Sequence, residues 1–309
     1  MINLASPALS PLNCEDTTDS IINQISVKFW GVRGSVPTPV EANQRYGGNT
    51  ICVEVMLGEQ RFIFDGGTGL MRLGDALQAD SGLDKAHSEK TLLKGRQGTQ
   101  AHLFFTHTQW DRIQGFPFFQ PAFDAKNRFS IYGGIAPNGA SIKHCLTEQM
   151  LKPYFSMPLQ NMHADLAFHT LFDKAQLSIE DVAVETFRTN EMTEALGYRL
   201  TWKDRTLIYA TDTPSDRVDP DFLKFVDHAD ILIYDGTYSD LTYLQNCSDS
   251  TLEPWSVGVE TAQRANVSQL VLLHHSPIQD DAALDRLQAD VCDRFPNTII
   301  AKEGMTIGC

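Results

Sequence analysis

Alternation of apolar and polar positions begins at about Ser26. SVKFWGV (26–32), NTICVEVML (49–57) and RFIFD (61–65) are short β-branched and aromatic runs broken by Gly and polar turns, which predicts strands. GTGLMRLGDALQ (67–78) changes to helical spacing, with Leu70, Leu73, Ala76 and Leu77 on one face. The polar stretch 79–100 reads as a surface loop. AHLFFTH (101–107) and FSIYG (129–133) are further strands, 139–151 is a helix, and 152–175 has no regular period. VAVETFRT (182–189), LGYRLTW (196–202) and RTLIYATD (205–212) follow, the last two joined by a tight turn at Lys203-Asp204. ADILIYDGTY (229–238), a Ser/Thr-capped helix over 250–267, QLVLLHHSP (269–277), a helix over 278–294 and NTIIAKEG (297–304) complete the pattern.

Each half of the chain therefore starts with antiparallel hairpins and continues with strands alternating with helices. This predicts an α/β fold of two sheets packed face to face with helices outside. The expected organisation is a lead-in over 1–25 and one domain over 26–309, with a lid-like insertion over 139–175. Asp65, His107, Asp212, Asp235 and His274 all fall at strand ends and are expected to meet on one rim.

Charge narrows the function classes. Lys+Arg is 25 and Asp+Glu is 39, so the formal net charge is 25 − 39 = −14. That balance opposes an extended nucleic-acid surface or an anionic membrane surface, while leaving room for one basic pocket. No apolar run is long enough to span a membrane. The first twenty residues lack the features of a secretory signal. The six cysteines are far apart with no CxxC pair, which fits reduced thiols and a cytoplasmic setting.

THTQWDRIQG (106–115) places His107, Gln109, Asp111 and Arg112 in six consecutive positions after a buried strand. Together with FWGVRGSVPTP (29–39), YGGNT (46–50), FDGGTGL (64–70), QGFPFF (114–119), LGYR (196–199), YATDT (209–213) and LLHHSP (272–277), it resembles the metallo-β-lactamase superfamily. The nearest group is the ribonuclease Z-like and cyclic-nucleotide-phosphodiesterase-like hydrolases. The resemblance implies an αββα sandwich of two mixed sheets with outer helices. It also implies a site for two metals, which at about 3.5–4 Å separation activate a water and stabilise the leaving oxygen of a phosphodiester.

The resemblance maps metal positions onto His107, Gln109, Asp111, Arg112, Glu191, Asp212 and His274, and a leaving-group acid onto Asp249. Histidine is absent at Gln109, Arg112, Glu191 and Asp249. Arg cannot ligate a metal, because its guanidinium has no free lone pair. One site is therefore expected to be lost. The other, built on His107, Gln109, Glu191 and Asp212, is oxygen-rich and suits Mn²⁺, Mg²⁺ or Fe²⁺ better than Zn²⁺. Arg112 reads as a metal surrogate whose charge compensates Asp111 and Asp212. Asp65 and Asp235 are expected to orient neighbouring groups, and Arg33 is a candidate phosphate contact.

Two functions follow. In one, the protein is degenerate and binds a small phosphorylated or nucleotide ligand or regulates a partner, with no metal or one weak divalent ion and no two-zinc centre. In the other, it is a phosphodiesterase-class hydrolase using one metal, with Asp111, Asp212 and Asp249 catalytic. A homodimer is compatible with either.

Overall fold

The computed structural model describes residues 25–80, 98–213, 217–236 and 254–308. Two seven-stranded sheets stack face to face. The first contains β1 (Ile25–Gly31), β2 (Cys52–Leu57), β3 (Gln60–Phe64), β4 (Gln100–Phe105), β5 (Arg128–Gly133), β6 (Asp165–Thr170) and β14 (Thr306–Gly308), in the order β14-β1-β2-β3-β4-β5-β6. The second contains β7 (Gln176–Ile179), β8 (Val182–Asn190), β9 (Ala195–Trp202), β10 (Arg205–Ala210), β11 (Ile231–Asp235), β12 (Gln269–Leu273) and β13 (Thr298–Ile300), in the order β13-β12-β11-β10-β9-β8-β7. Neighbours from β14 through β3 are antiparallel, and β3 through β6 are parallel. The second sheet repeats the scheme, antiparallel from β7 to β10 and parallel from β10 to β13.

Parallel connections carry the helices. α1 (Gly69–Asp80), α2 (Trp110–Ile113) and α3 (Ile142–Glu148) belong to the first sheet, and α4 (Pro220–Val226), α5 (Pro254–Arg264) and α6 (Asp281–Arg294) to the second. Ser141, Asp219 and Asp280 cap α3, α4 and α6 by accepting backbone N–H bonds. β11 is buried at every position because helices cover its outer face, whereas β8 alternates buried and exposed residues. The β9–β10 turn places Lys203 at φ +55°, a left-handed conformation usual in such turns.

The apolar core has three layers. Phe29, Val53, Phe64, Phe104, Tyr198, Tyr209 and Val271 fill the space between the sheets. Leu70, Leu73, Phe116 and Ile131 lie under the first sheet's helices, and Leu232, Val259, Leu270 and Leu284 under the second's. This is the expected αββα sandwich. One correction concerns 152–175, read as having no regular period: six of its residues form β6, which pairs in parallel with β5. The short strands β7 and β14 also have no counterpart in the sequence reading. Among the described residues, no helix is long and apolar enough to cross a membrane.

Candidate functional site

The carboxyl ends of β3, β4, β10, β11 and β12 meet at one rim, where Asp65, His107, Asp212, Asp235 and His274 lie. Three of these residues bend the chain sharply: Asp65 at φ +58°, Asp212 at +55° and His274 at +65°. Left-handed backbone costs a non-glycine residue of order 1–3 kcal/mol and persists only where its surroundings enforce it. Here side-chain bonds at each bend supply that enforcement.

Asp65 is the hub of the cluster. Its Oδ1 accepts from the Thr106 amide (2.8 Å) and hydroxyl (2.9 Å), and its Oδ2 from Arg112 Nη1 (3.1 Å) and Tyr209 OH (2.9 Å). Arg112 is 1% exposed. Its Nε lies 3.2 Å from Asp111 Oδ2, and its Nη2 lies 4.0 Å from Asp235 Oδ1. His274 continues the chain, with Nε2 3.3 Å from Asp111 Oδ2 and Nδ1 3.8 Å from Asp235 Oδ1. Asp235 Oδ2 accepts the Asp212 amide, and Thr193 Oγ1 donates to Asp212 Oδ2. On the other flank, His107 Nδ1 meets Thr106 Oγ1 at 3.0 Å and its Nε2 meets Gln109 Oε1 at 2.9 Å.

Charges within the cluster support one another. Burial alone would raise the Asp111 carboxyl, but Arg112 and then His274 outweigh it and hold Asp111 well below the usual carboxylate range. Burial likewise opposes the Arg112 charge, and Asp111 and Asp65 overcome that effect. For His274, burial and Arg112 disfavour protonation, yet Asp235 and Asp111 raise it above the ordinary histidine value. Burial dominates at Asp235, which is raised despite His274 and Arg112.

Several expected residues stand elsewhere. Arg112 enters the cluster, but its partners are Asp111 and Asp65 rather than Asp212. Glu191 is exposed in the β8–β9 turn, and Thr193 from the same turn reaches Asp212 instead. Arg33 is fully buried and donates to the carbonyls of Gly47 (2.7 Å), Gln279 (2.6 Å) and Ser276 (3.2 Å). It therefore ties three loops together and is not presented to a phosphate. Asp249 lies outside the described residues. His275 turns away from His274 and donates from Nε2 to Ala301 O (2.8 Å), as expected for neighbours on opposite faces of a strand end.

Thr106, Thr193, Tyr209 and Gly34 are site residues that the sequence reading did not select. An added Cβ at Gly34 would lie 2.5 Å from His274 Nε2, so glycine is what allows the ring to sit there. Tyr209 had a legible signal: a tyrosine on the inner face of a buried strand needs a polar partner for its hydroxyl.

The relatives of this fold named by the resemblance use a pair of divalent ions at this rim. Among the described residues, no three or more His, Cys, Asp or Glu side chains are grouped to hold a metal ion. The guanidinium of Arg112 stands among Asp111, Asp65 and Asp235, and the Gln109 oxygen and the Asp212 carboxylate are already bonded. This donor set does not fit a two-metal centre.

A family model for the beta-lactamase superfamily domain matches residues 61–275, and the chain belongs to that superfamily. A ribonuclease Z from Synechococcus sp. (strain CC9902) is 33% identical over 113 residues. That match covers 33% of this chain and 32% of the relative, so the chain spans about a third of the curated relative's length. Among solved structures, the metallo-beta-lactamase fold protein YhfI from Bacillus subtilis superposes with a TM-score of 0.63 at 16% identity, over 93% of this chain and 100% of that one. Zn(2+)-bound PqqB from Methylobacterium extorquens gives 0.61 at 14% identity, over 91% and 99%. These likenesses identify the metallo-β-lactamase fold.

Proposed function

We propose that this protein is a degenerate relative of the ribonuclease Z and phosphodiesterase hydrolases. Its rim is held together by Arg112 instead of metal ions, and it serves as a ligand-binding or regulatory module. The observation that carries this reading is the Arg112 guanidinium, 1% exposed and in ion-pair contact with Asp65 and Asp111. A fixed cation at that point supplies the charge that the carboxylates would otherwise draw from an ion. It also repels any second cation. The natural ligand class is a small phosphorylated or nucleotide molecule, as for the hydrolases it resembles. Free thiols at Cys52, Cys145 and Cys292 support a reducing, cytoplasmic setting.

Metal analysis of protein purified without chelator tests the reading, together with turnover of bis(p-nitrophenyl) phosphate in added Zn²⁺ or Mn²⁺. The expected result is well under two metals per chain and no metal-dependent turnover. Two tightly held zinc ions would overturn it. So would robust turnover abolished by His107→Ala, which would establish a single-metal hydrolase in its place.

A further inference from the structure

A second cleft lies apart from the rim, between the 33–49 loop and α1. Its volume is about 710 Å³, inside the range of about 300–1,000 Å³ that small ligands occupy. None of the residues bonded within the Asp65 cluster lines it.

The loop wall is fixed by its own bonds. Thr38 N donates to Gly48 O (2.8 Å), which closes the loop on itself. Arg33 Nε donates to Gly47 O (2.7 Å), and Asp281 accepts from the amides of Arg45 (2.8 Å) and Tyr46 (3.1 Å). Glu303 Oε2 accepts from the amides of Gly48 and Asn49, both at 3.1 Å, and its Oε1 accepts from Asn49 Nδ2 (2.6 Å). A Cβ on Gly47, which has φ +102°, would stand 2.3 Å from Glu303 Cβ, so glycine permits this contact. The Trp30 indole, also in the lining, is oriented by Nε1 donation to Glu54 (2.9 Å). Walls held in this way have little freedom left to lose on binding.

Two features of the walls remain unmet. Pro37, Pro39 and Val40 from the loop face the same cleft as Met71 from α1, with Val40 54% and Met71 38% exposed. Arg72 lines the cleft beside Met71, and no hydrogen bond or ion pair engages it among the described residues. Arg72 also stands in the first turn of α1, which has no acidic residue there. A cation at that end adds to the positive pole of the helix macrodipole, the reverse of the usual arrangement. Both fields favour an anion at this wall. The Glu41 and Glu303 carboxylates share the lining, so a dianion such as a phosphate ester meets more repulsion than a monoanion does.

We propose that this cleft binds a small apolar or aromatic monocarboxylate, its carboxylate on the Arg72 guanidinium and its body against Trp30, Val40 and Met71. A carboxylate matches the guanidinium fork with two parallel hydrogen bonds. The body takes exposed apolar surface on both walls out of water. The site is separate from the rim and independent of what the rim binds.

Titration calorimetry of the full chain with hydrocinnamate, hydrocinnamamide and phenyl phosphate tests this. The acid should bind at about millimolar concentration or tighter. It should bind about tenfold better than the amide, as expected for the loss of a charge-assisted hydrogen bond. Phenyl phosphate should bind more weakly than the acid. Arg72→Gln should weaken the acid about tenfold and leave the amide unchanged, whereas Val40→Ser should weaken both alike. Both positions are exposed, and circular dichroism of each variant confirms that the fold is retained. An acid that does not bind at about ten millimolar overturns the proposal. Equal binding of acid and amide, tighter binding of phenyl phosphate, or acid binding indifferent to Arg72→Gln overturns it as well.

Discussion

Arg112 exchanges the hydration of a guanidinium for Asp65 and Asp111, both nearly devoid of solvent contact. Truncating it removes the guanidinium from two buried carboxylates and leaves Asp65 with only neutral donors. Arg112→Ala is therefore expected to cost about 3–5 kcal/mol, read as a lower urea midpoint at unchanged slope. Arg112→Lys keeps the charge but not the fork, and most of the loss should persist. His275 gives a separate prediction. Burial pushes its imidazole down to about 3, against about 6.5 in the unfolded chain. Between those values the unfolded chain holds a proton that the folded one does not. The contribution of His275 is thus complete above the unfolded value and declines as the pH falls. Going from about pH 7 to about pH 5, wild type should lose about 2 kcal/mol more than His275→Gln in denaturation midpoints. At this scale much was legible. His107, Asp111, Arg112 and His274 stood out because strand ends with polar clusters converge. Of the two expected partners of Arg112, Asp111 is met and Asp212 is not, since nothing in the sequence tells that Thr193 takes the Asp212 carboxylate and that Asp65 meets the guanidinium.

The close approach of two loops matters more than any single bond when elements are compared. Gly34 lies against the His274 ring, and an alanine methyl there would stand 2.5 Å from Nε2. Gly34→Ala should push the ring off Asp111 and cost about 1–3 kcal/mol, with a displaced His274 in a crystal structure of the variant. At the far side of the second sheet, Gln288→Ala removes both bonds that cap β13. Stranding the Ile300 amide should cost about 1–3 kcal/mol and make the variant more prone to aggregate, measured by light scattering on heating. Strands with period two and helices with period 3.6 were readable from their side chains. β6 escaped because its residues, half-buried at an edge, alternate weakly, and prolines on its N-terminal side suggested irregular chain. β7 and β14 are four and three residues long, too short for any period to show.

At the scale of the whole molecule, the proposed reading requires that the rim hold its shape without an ion. Where a metal is structural, its binding energy is folding energy and a chelator denatures the protein. Here the cluster is closed by Arg112, Thr106, Tyr209 and Thr193. The melting temperature should therefore agree within about a degree before and after exhaustive chelation, a shift well below that produced by losing a bound ligand. Calorimetry in EDTA checks this. The order of landmarks along the chain made the αββα architecture readable, since each half repeats the same progression from antiparallel to parallel pairing.

β14 has a consequence for how the chain is made. Residues 306–308 pair with β1, and the Phe29 amide bonds to Met305 O. Although β1 through β6 are synthesised first, their sheet stays unfinished at β1 until residues 305–308 have left the ribosome. His274, which completes the rim, also emerges late. The protein should therefore acquire its protease-resistant form only after the second half is released, with nascent chains stopped before residue 305 still open to cleavage. Arrested-chain proteolysis at successive lengths should show protection arriving in one step.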